Sequence, residues 1–322
     1  MAIQVVETFQ SAEHHEEQEK IACPLCGGVD EELVLQGRDL LFAKPGPYRL
    51  VRCRGCELEF VNPRPTPEAL GPHYPANYFG YALHDEAPSI VAPFLKAFAM
   101  GISLKRIGFL EKVVGRLTDK LLMVDVGCGT NRLLTHIKEL RGLTGLGVDF
   151  KPEIVAYVRD TLKMPIVQGT LEGAHLDAGR FDVVSMMEYL EHEPDPKRVL
   201  QEARRITKPG GYLALELPHI AAAPGRLFRS VWWNLDLPRH LIFFTPKTLG
   251  RMLDDVGFEL VKVNTFSFPL YVGMSIAQAL GLRHWERYQR VFPAISTLLG
   301  LPFWPLMFLL PEFMFAIARA KE

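Results

Sequence analysis

The sequence predicts an α/β fold, a mostly parallel sheet covered by helices on both faces, with a small cysteine-rich module ahead of it. Three observations carry this reading. After Lys120 short apolar runs, "LLMVDVG", "LTGLGVDF", "MPIVQG", "FDVVSMM" and "GYLALELP", alternate with helix-like stretches; near-continuous apolar strands spaced by helices mean a sheet buried on both faces. The first run ends in the glycine turn "VDVGCGTN", residues 124–131. Four of the five cysteines form two CxxC pairs within residues 23–56.

A chain of 322 residues suits a main domain with a small appendage. The first twenty residues hold five Glu, one Lys and the pair His14-His15, without the apolar core of a signal peptide, which predicts a disordered leader over 1–20. Lys plus Arg number 36 against 37 Asp plus Glu, so no global positive field draws the chain to nucleic acid or an anionic membrane. Any such contact must be local. Without an export signal, paired cysteines argue for a metal in a reducing compartment rather than for disulfides, and the cytoplasm is the expected location.

Residues 21–62 read as the cysteine module. Cys23-x2-Cys26 and Cys53-x2-Cys56 offer four thiolates in two knuckles, the closed tetrahedral set of a structural zinc. Residues 63–119 follow as a linker and helical cover. "NPRPTPEAL" punctuates, with Thr66 and Pro67 set to start a helix. Ile90, Val91, Phe94, Leu95, Phe98, Ile102, Leu104, Ile107, Leu110 and Val114 then recur at roughly helical spacing.

From residue 120 to 322 the parallel sheet predicts a ligand at the carboxyl ends of its strands, near residues 127, 149, 169, 188 and 218. Gly127 and Gly129 let backbone approach a ligand closely. Asp149 ends the next strand about 20 residues on, where a carboxylate takes both hydroxyls of a ribose. Arg132 occupies the third-glycine position of a dinucleotide fingerprint, which argues against that class.

Asp125, then Gly127-Cys128-Gly129-Thr130-Asn131, resembles the first motif of class I S-adenosylmethionine (SAM)-dependent methyltransferases, an acidic residue followed by GxGxG. Asn131 stands at the third glycine, and Asn tolerates left-handed backbone better than most residues. "FDVVSMMEYLEHEPDPKRVLQEARRITKPGGYLALELP" and "LPRHLIFFTPKTLGRMLDDVGFELV" continue the likeness over residues 120–266. It implies a Rossmann-like seven-stranded sheet with six parallel strands and one antiparallel, "FMFAIARA" being the antiparallel partner of "FELVKVNTF". It also implies SAM as cofactor, contacted by Asp125, Gly127, Cys128, Gly129, Asp149, Phe150, Thr170, Leu171 and Met187. "CRGCELEFVNPRPTPEAL" resembles the cysteine-rich leader ahead of many bacterial methyltransferases of this class, including sugar C-methyltransferases.

Methyl transfer to a poorly acidic atom needs a base. "EYLEHEPDP" places Glu188, Glu191 and His192 just past strand four, and in the resembling sugar enzymes the Glu-His pair is implicated in catalysis, which maps onto Glu191 and His192. His240 in "LPRHLIFF" is the rival base, and Arg239 beside it could grip a carboxylate or phosphate.

Two apolar insertions, 218–244 and 267–311, leave strands five and six on the sheet edge that carries the ligand. They bear Trp232, Trp233, Trp285 and Trp304, with Arg226, Arg229, Arg283, Arg287 and Arg290 nearby. The expectation is a greasy lid over the mouth, a water-soluble cap packed on itself or in a dimer, or a surface resting on the membrane interface. Its prolines argue against a straight spanning helix. The predicted function is SAM-dependent methyl transfer, chiefly to oxygen of a small or lipid-linked acceptor: a sugar, polyketide-like or prenylated compound. Nucleic acid is not the expected partner. The alternatives are a ribosomal or transfer RNA methyltransferase with a zinc module, and a binding protein that keeps the fold without the chemistry.

Overall fold

The structure, a computed structural model, describes residues 17–44, 46–75, 78, 92–282, 292–306 and 309–322. The N-terminal module is an antiparallel sheet of β1 (Glu31–Gly37), β2 (Tyr48–Cys53) and β3 (Glu59–Val61). Expected disorder over 1–20 does not extend to residues 18 and 19: Gln18–Glu19 pairs with Arg64–Pro65, and Glu19 accepts from Arg64 Nε at 2.8 Å. Residues 1–16 lie outside the described residues.

A cover helix, α1 (Ala92–Val114), leads to the main unit. There follow β4 (Met123–Val126), α2 (Arg132–Arg141), β5 (Leu146–Asp149), α3 (Pro152–Ala156), β6 (Ile166–Gln168), β7 (Phe181–Met187), α4 (Pro196–Ile206) and β8 (Thr207–Pro218). Beyond these come α5 (Ala223–Phe228), β9 (Ile242–Phe243), α6 (Pro246–Asp255), β10 (Phe258–Phe266), α7 (Pro269–Ala279), α8 (Phe292–Gly300) and β11 (Phe313–Ala320). The main sheet runs β10-β11-β8-β7-β4-β5-β6. Strand β11 is antiparallel to both neighbours and the other six run one way, the Rossmann-like seven-stranded arrangement that was expected.

The helices begin where their sequence provides caps. Asp195 accepts from Arg198 N at 3.1 Å with Pro196 in the first turn of α4, and Thr245 and Thr248 cap α6 reciprocally. Helix α4 then buries Val199, Leu200, Ala203 and Ile206 on one stripe. An 11-residue helix is marginal alone; each buried apolar side chain adds roughly 1.5–3 kcal/mol, so packing decides its stability. Strand residues alternate between two cores. Leu213, Leu215 and Leu217 join Met314, Ala316 and Ala318 under α4 and α6, whereas Ala214, Phe313, Phe315 and Ile317 lie with α1, α2 and α7.

The first core does not stop at the main unit. Cys23, Leu25, Val51, Leu58 and Phe60 of the module pack continuously with Leu241, Ile242 and Phe244. Strand β9 also adds to the module's sheet, pairing Ile242 with Phe60 and Phe243 with Glu59.

The second insertion folds back on itself. A Cβ at Gly273 of α7 would stand 1.6 Å from the Ser296 carbonyl oxygen, and one at Gly300 1.7 Å from that of Pro269. The two helices therefore cross backbone to backbone. After α8 the chain tightens into a short 3-10 segment, Leu301–Leu306, with Pro305 inside it. No helix among the described residues is long and apolar enough to cross a membrane. Leu298, Leu301, Trp304 (64% exposed) and Leu309 face outward. Trp232 and Trp233, expected at the mouth, are instead packed inside, because the indole N–H of Trp232 finds a buried acceptor in Glu312 at 3.1 Å. Trp285, Arg283, Arg287 and Arg290 lie outside the described residues.

Candidate active site

Three left-handed residues shape the turn after β4: Gly127 (φ 64°), Gly129 (φ 51°) and Asn131 (φ 57°). Glycine meets no Cβ penalty there, and Asn is among the few other residues that enter this region readily. At Gly127 the freedom is also spatial, since a Cβ would come 2.2 Å from the ring of Tyr189. Cys128 Sγ fills the space over Gly147, where a Cβ would meet it at 2.8 Å. The Asn131 side chain is buried with no hydrogen-bond partner on either polar atom.

Asp149 ties the turn to β5. Its carboxylate accepts from the Gly129 N–H and the Lys151 N–H, each at 3.0 Å. Phe150 beside it is exposed, Thr170 is exposed and accepts from Gly173 N at 3.2 Å, and Leu171 is fully buried. Asp125 is buried under the turn, accepts from Ser185 Oγ at 2.5 Å, and is pushed up by burial to about 6. Met187 closes β7, half-buried. The glycine turn is thus latched to the Asp149 carboxylate and packed against Tyr189 too closely for any side chain at Gly127.

Next to it lies a buried charge cluster. Arg106 of α1 reaches over to Glu216 at the end of β8, with Nε–Oε2 at 2.8 Å and a second contact through Nη2, and to Glu188 at 3.4 Å. Glu188 has φ 54°. Burial, then the neighbouring Glu216 charge, push its carboxyl up to about 8.

Glu191, His192 and His240 come together, each offering a ligand atom within 4.8 Å of the others. The rings of His192 and His240 meet edge to face with centroids 4.6 Å apart. Burial, then the adjacent His240, depress His192 to about 3, and burial likewise lowers His240. Burial thus favours the uncharged form of both rings. His192 Nδ1 contacts Tyr74 Oη at 3.1 Å and the Arg239 carbonyl at 3.0 Å; His240 Nδ1 contacts the Asn234 carbonyl at 2.8 Å.

Arg239 is not a substrate grip. It is fully buried and already engaged, bidentate to Asp39 at 2.8 and 2.9 Å and to Asp236 through Nε at 3.0 Å and Nη2 at 2.6 Å. Its position places the His192-bound carbonyl.

Cys23, Cys26, Cys53 and Cys56 converge, all four Sγ atoms within 4.8 Å of one another. The Cys23–Cys56 and Cys26–Cys53 separations are 3.4 and 3.5 Å, far beyond a disulfide bond of about 2 Å. A tetrahedral zinc with sulfurs at about 2.3 Å sets them about 3.8 Å apart, so the cluster fits such an ion. Each knuckle turns through a left-handed residue, Gly27 (φ 72°) or Glu57 (φ 68°), which brings both pairs to one point.

Residues 105–263 match the family model described as a methyltransferase domain. That stretch, just under half of the chain, carries a methyltransferase domain. Over 111 residues, 33% of this chain, it is 38% identical to the ubiquinone biosynthesis O-methyltransferases of Escherichia coli and Shigella boydii. The chain spans about half the length of these relatives, 46%. Among solved structures it is similar to SAM-dependent methyltransferases of Thermotoga maritima (20% identity, 72% of this chain and 96% of that one, TM-score 0.47) and Archaeoglobus fulgidus (20%, 69% and 94%, TM-score 0.47).

Several residues around the methyltransferase domain's site escape sequence reading. Arg106, Tyr74 and Asp39 reach it from elements 110, 118 and 200 positions away from their partners Glu216, His192 and Arg239. Tyr189 sits in the motif that was singled out, and its aromatic ring next to a glycine turn was the available signal.

Glu312 shows how the insertion is coupled to pH. It is fully buried, accepts from Trp232 Nε1 and Ser267 Oγ, and burial pushes it up to about 8. A carboxyl raised on folding contributes its stability below the unfolded value, and that stability is lost as pH rises through the folded one. Glu312→Gln is therefore expected to stabilise the protein at pH 8–9 by about 4–5 kcal/mol, with the gain vanishing near pH 4.5. Thermal unfolding of both forms across that range checks it; a gain independent of pH would contradict the assignment.

Proposed function

We propose that the chain transfers a methyl group from SAM to an oxygen of a small or lipid-linked acceptor, prenylated or otherwise apolar. The observation that carries this is the Asp149 carboxylate latched to the Gly129 amide on the sheet edge from which the "EYLEHEP" segment also leaves. The turn at 127–131 and Asp149 would hold the nucleoside. SAM, when bound, supplies an electrophilic methyl on sulfonium. Glu191, His192 and His240 would bind the acceptor oxygen or take up its hydroxyl proton. The four-cysteine cluster would hold a structural zinc, with no open position for chemistry.

Oxygen as the methylated atom is supported by the 38% identity to O-methyltransferases of ubiquinone biosynthesis. An apolar acceptor is supported by the outward Leu298, Leu301, Trp304 and Leu309, a surface that also suits peripheral contact with the lipid in which such an acceptor is dissolved.

The test is transfer of labelled methyl from SAM into extract fractionated as organic-soluble, small aqueous and RNA pools. Label is expected in the organic or small aqueous pool. Asp149→Ala should weaken SAM binding roughly 10- to 100-fold, the loss of a charged hydrogen-bonding group, with circular dichroism unchanged. Label confined to RNA would sink the acceptor class, and unaltered SAM affinity in the variant would sink the ribose contact.

A further inference from the structure

The group of Glu191, His192 and His240 is assembled by the fold. Two members follow β7, and the third precedes β9, with their ligand atoms within 4.8 Å of one another. Two observations point to a ligand. Both carboxylate oxygens of Glu191 are buried without a hydrogen-bond partner, on a residue 1% exposed, whereas buried carboxylates are ordinarily paired or bound to metal. Each imidazole also has its Nδ1 against a main-chain carbonyl, Arg239 for His192 and Asn234 for His240. A carbonyl only accepts, so Nδ1 carries the proton and Nε2 keeps its lone pair. Metal-bound histidines are fixed by this same tautomer and outer contact.

We propose that Glu191, His192 and His240 bind a divalent first-row transition cation as a two-histidine, one-carboxylate set. Two imidazoles with one carboxylate suit manganese, iron, cobalt, nickel or zinc better than magnesium or calcium, which take mostly oxygen donors. Three protein donors leave positions open. An acceptor oxygen would take one of them, a clause that rests on the methyl-transfer reading; the cation site itself does not. The competing reading is a neutral carboxyl buried beside two histidines, which predicts no cation.

The experiment titrates the full chain, its cysteine site filled with zinc, with Co2+. One further equivalent is expected, with ligand-field absorption and without the thiolate charge-transfer band that would mark exchange into the cysteines. Glu191→Gln and His240→Gln, zinc-replete and native by circular dichroism, should each weaken Co2+ binding by at least about 100-fold, more than the 10- to 100-fold typical of outer-contact changes. No further equivalent in the unsubstituted protein overturns the proposal. So does an equivalent that persists unchanged in both variants. Should one variant not fold, the other and His192→Gln decide. SAM binding measured on the same samples keeps the two readings apart: cation without SAM sinks methyl transfer alone, and SAM without cation sinks this site alone.

Discussion

Asp39→Asn is expected to destabilise the protein by about 3–5 kcal/mol, the usual cost of leaving one partner of a buried ion pair without the other. Asp39 and Arg239 are both fully buried side chains that bind each other through two bonds, although 200 residues separate them. Burial alone would raise the Asp39 carboxyl, but Arg239, with help from His73, holds it well below its ordinary range. The contribution of a depressed carboxyl is present above the unfolded value near 3.8 and is lost as pH falls beneath it, so the gap between the two proteins should narrow in acid. A melting-temperature drop of roughly 6–20 °C at pH 7, at about 2–4 °C per kcal/mol, is the quantity to measure. A drop below about 2 °C would show that the pair is incidental. Because the Arg239 carbonyl touches His192, activity should fall below what the folded fraction explains.

Metal removal is expected to act at least as strongly. With zinc in the cysteine cluster, as proposed, elemental analysis of protein stripped of weaker-bound cations should find close to one zinc per chain. Cys53→Ser should take that toward zero and loosen Glu31–Gly37 and Tyr48–Cys53, which limited proteolysis reads directly. In isolated zinc-binding peptides the apparent binding energy is about 10–16 kcal/mol, more than a small sheet can replace. The module shares a core with Leu241, Ile242 and Phe244, so the main unit should lose thermal stability as well. Full metal content in Cys53→Ser would mean that the four thiolates are not the ligands.

What could be read from the sequence was local or periodic. Asp195-Pro196 followed by Val199, Leu200, Ala203 and Ile206 announces α4 at both its start and its buried stripe. The CxxC spacing announces a convergent cluster because each pair is a turn in itself. Antiparallel pairing of Phe258–Phe266 with Phe313–Ala320 followed from family likeness rather than from pattern. The remainder depended on distant partners. Arg239 reads as a ligand-binding cation until Asp39 and Asp236 are seen around it, and Trp232 reads as surface until Glu312 is found accepting from its indole. No window of sequence contains such pairs, because the fold, not adjacency, supplies the low-polarity surroundings that make them bind.

Strand β9 gives the two units a second joint. In the order of the chain, the cysteine module meets the rest once, after Val61; in space it is also held by a main-chain ladder and by the Asp39–Arg239 pair. The Val61 amide donates to the Leu241 carbonyl at 2.9 Å, and the Leu241 amide donates to the Glu191 carbonyl at 2.8 Å. One residue thus threads main chain from a thiolate-bearing sheet to the carboxylate beside the two histidines. A boundary drawn between the units cuts this ladder, so removing the module is expected to loosen the backbone on which Glu191 and His240 stand.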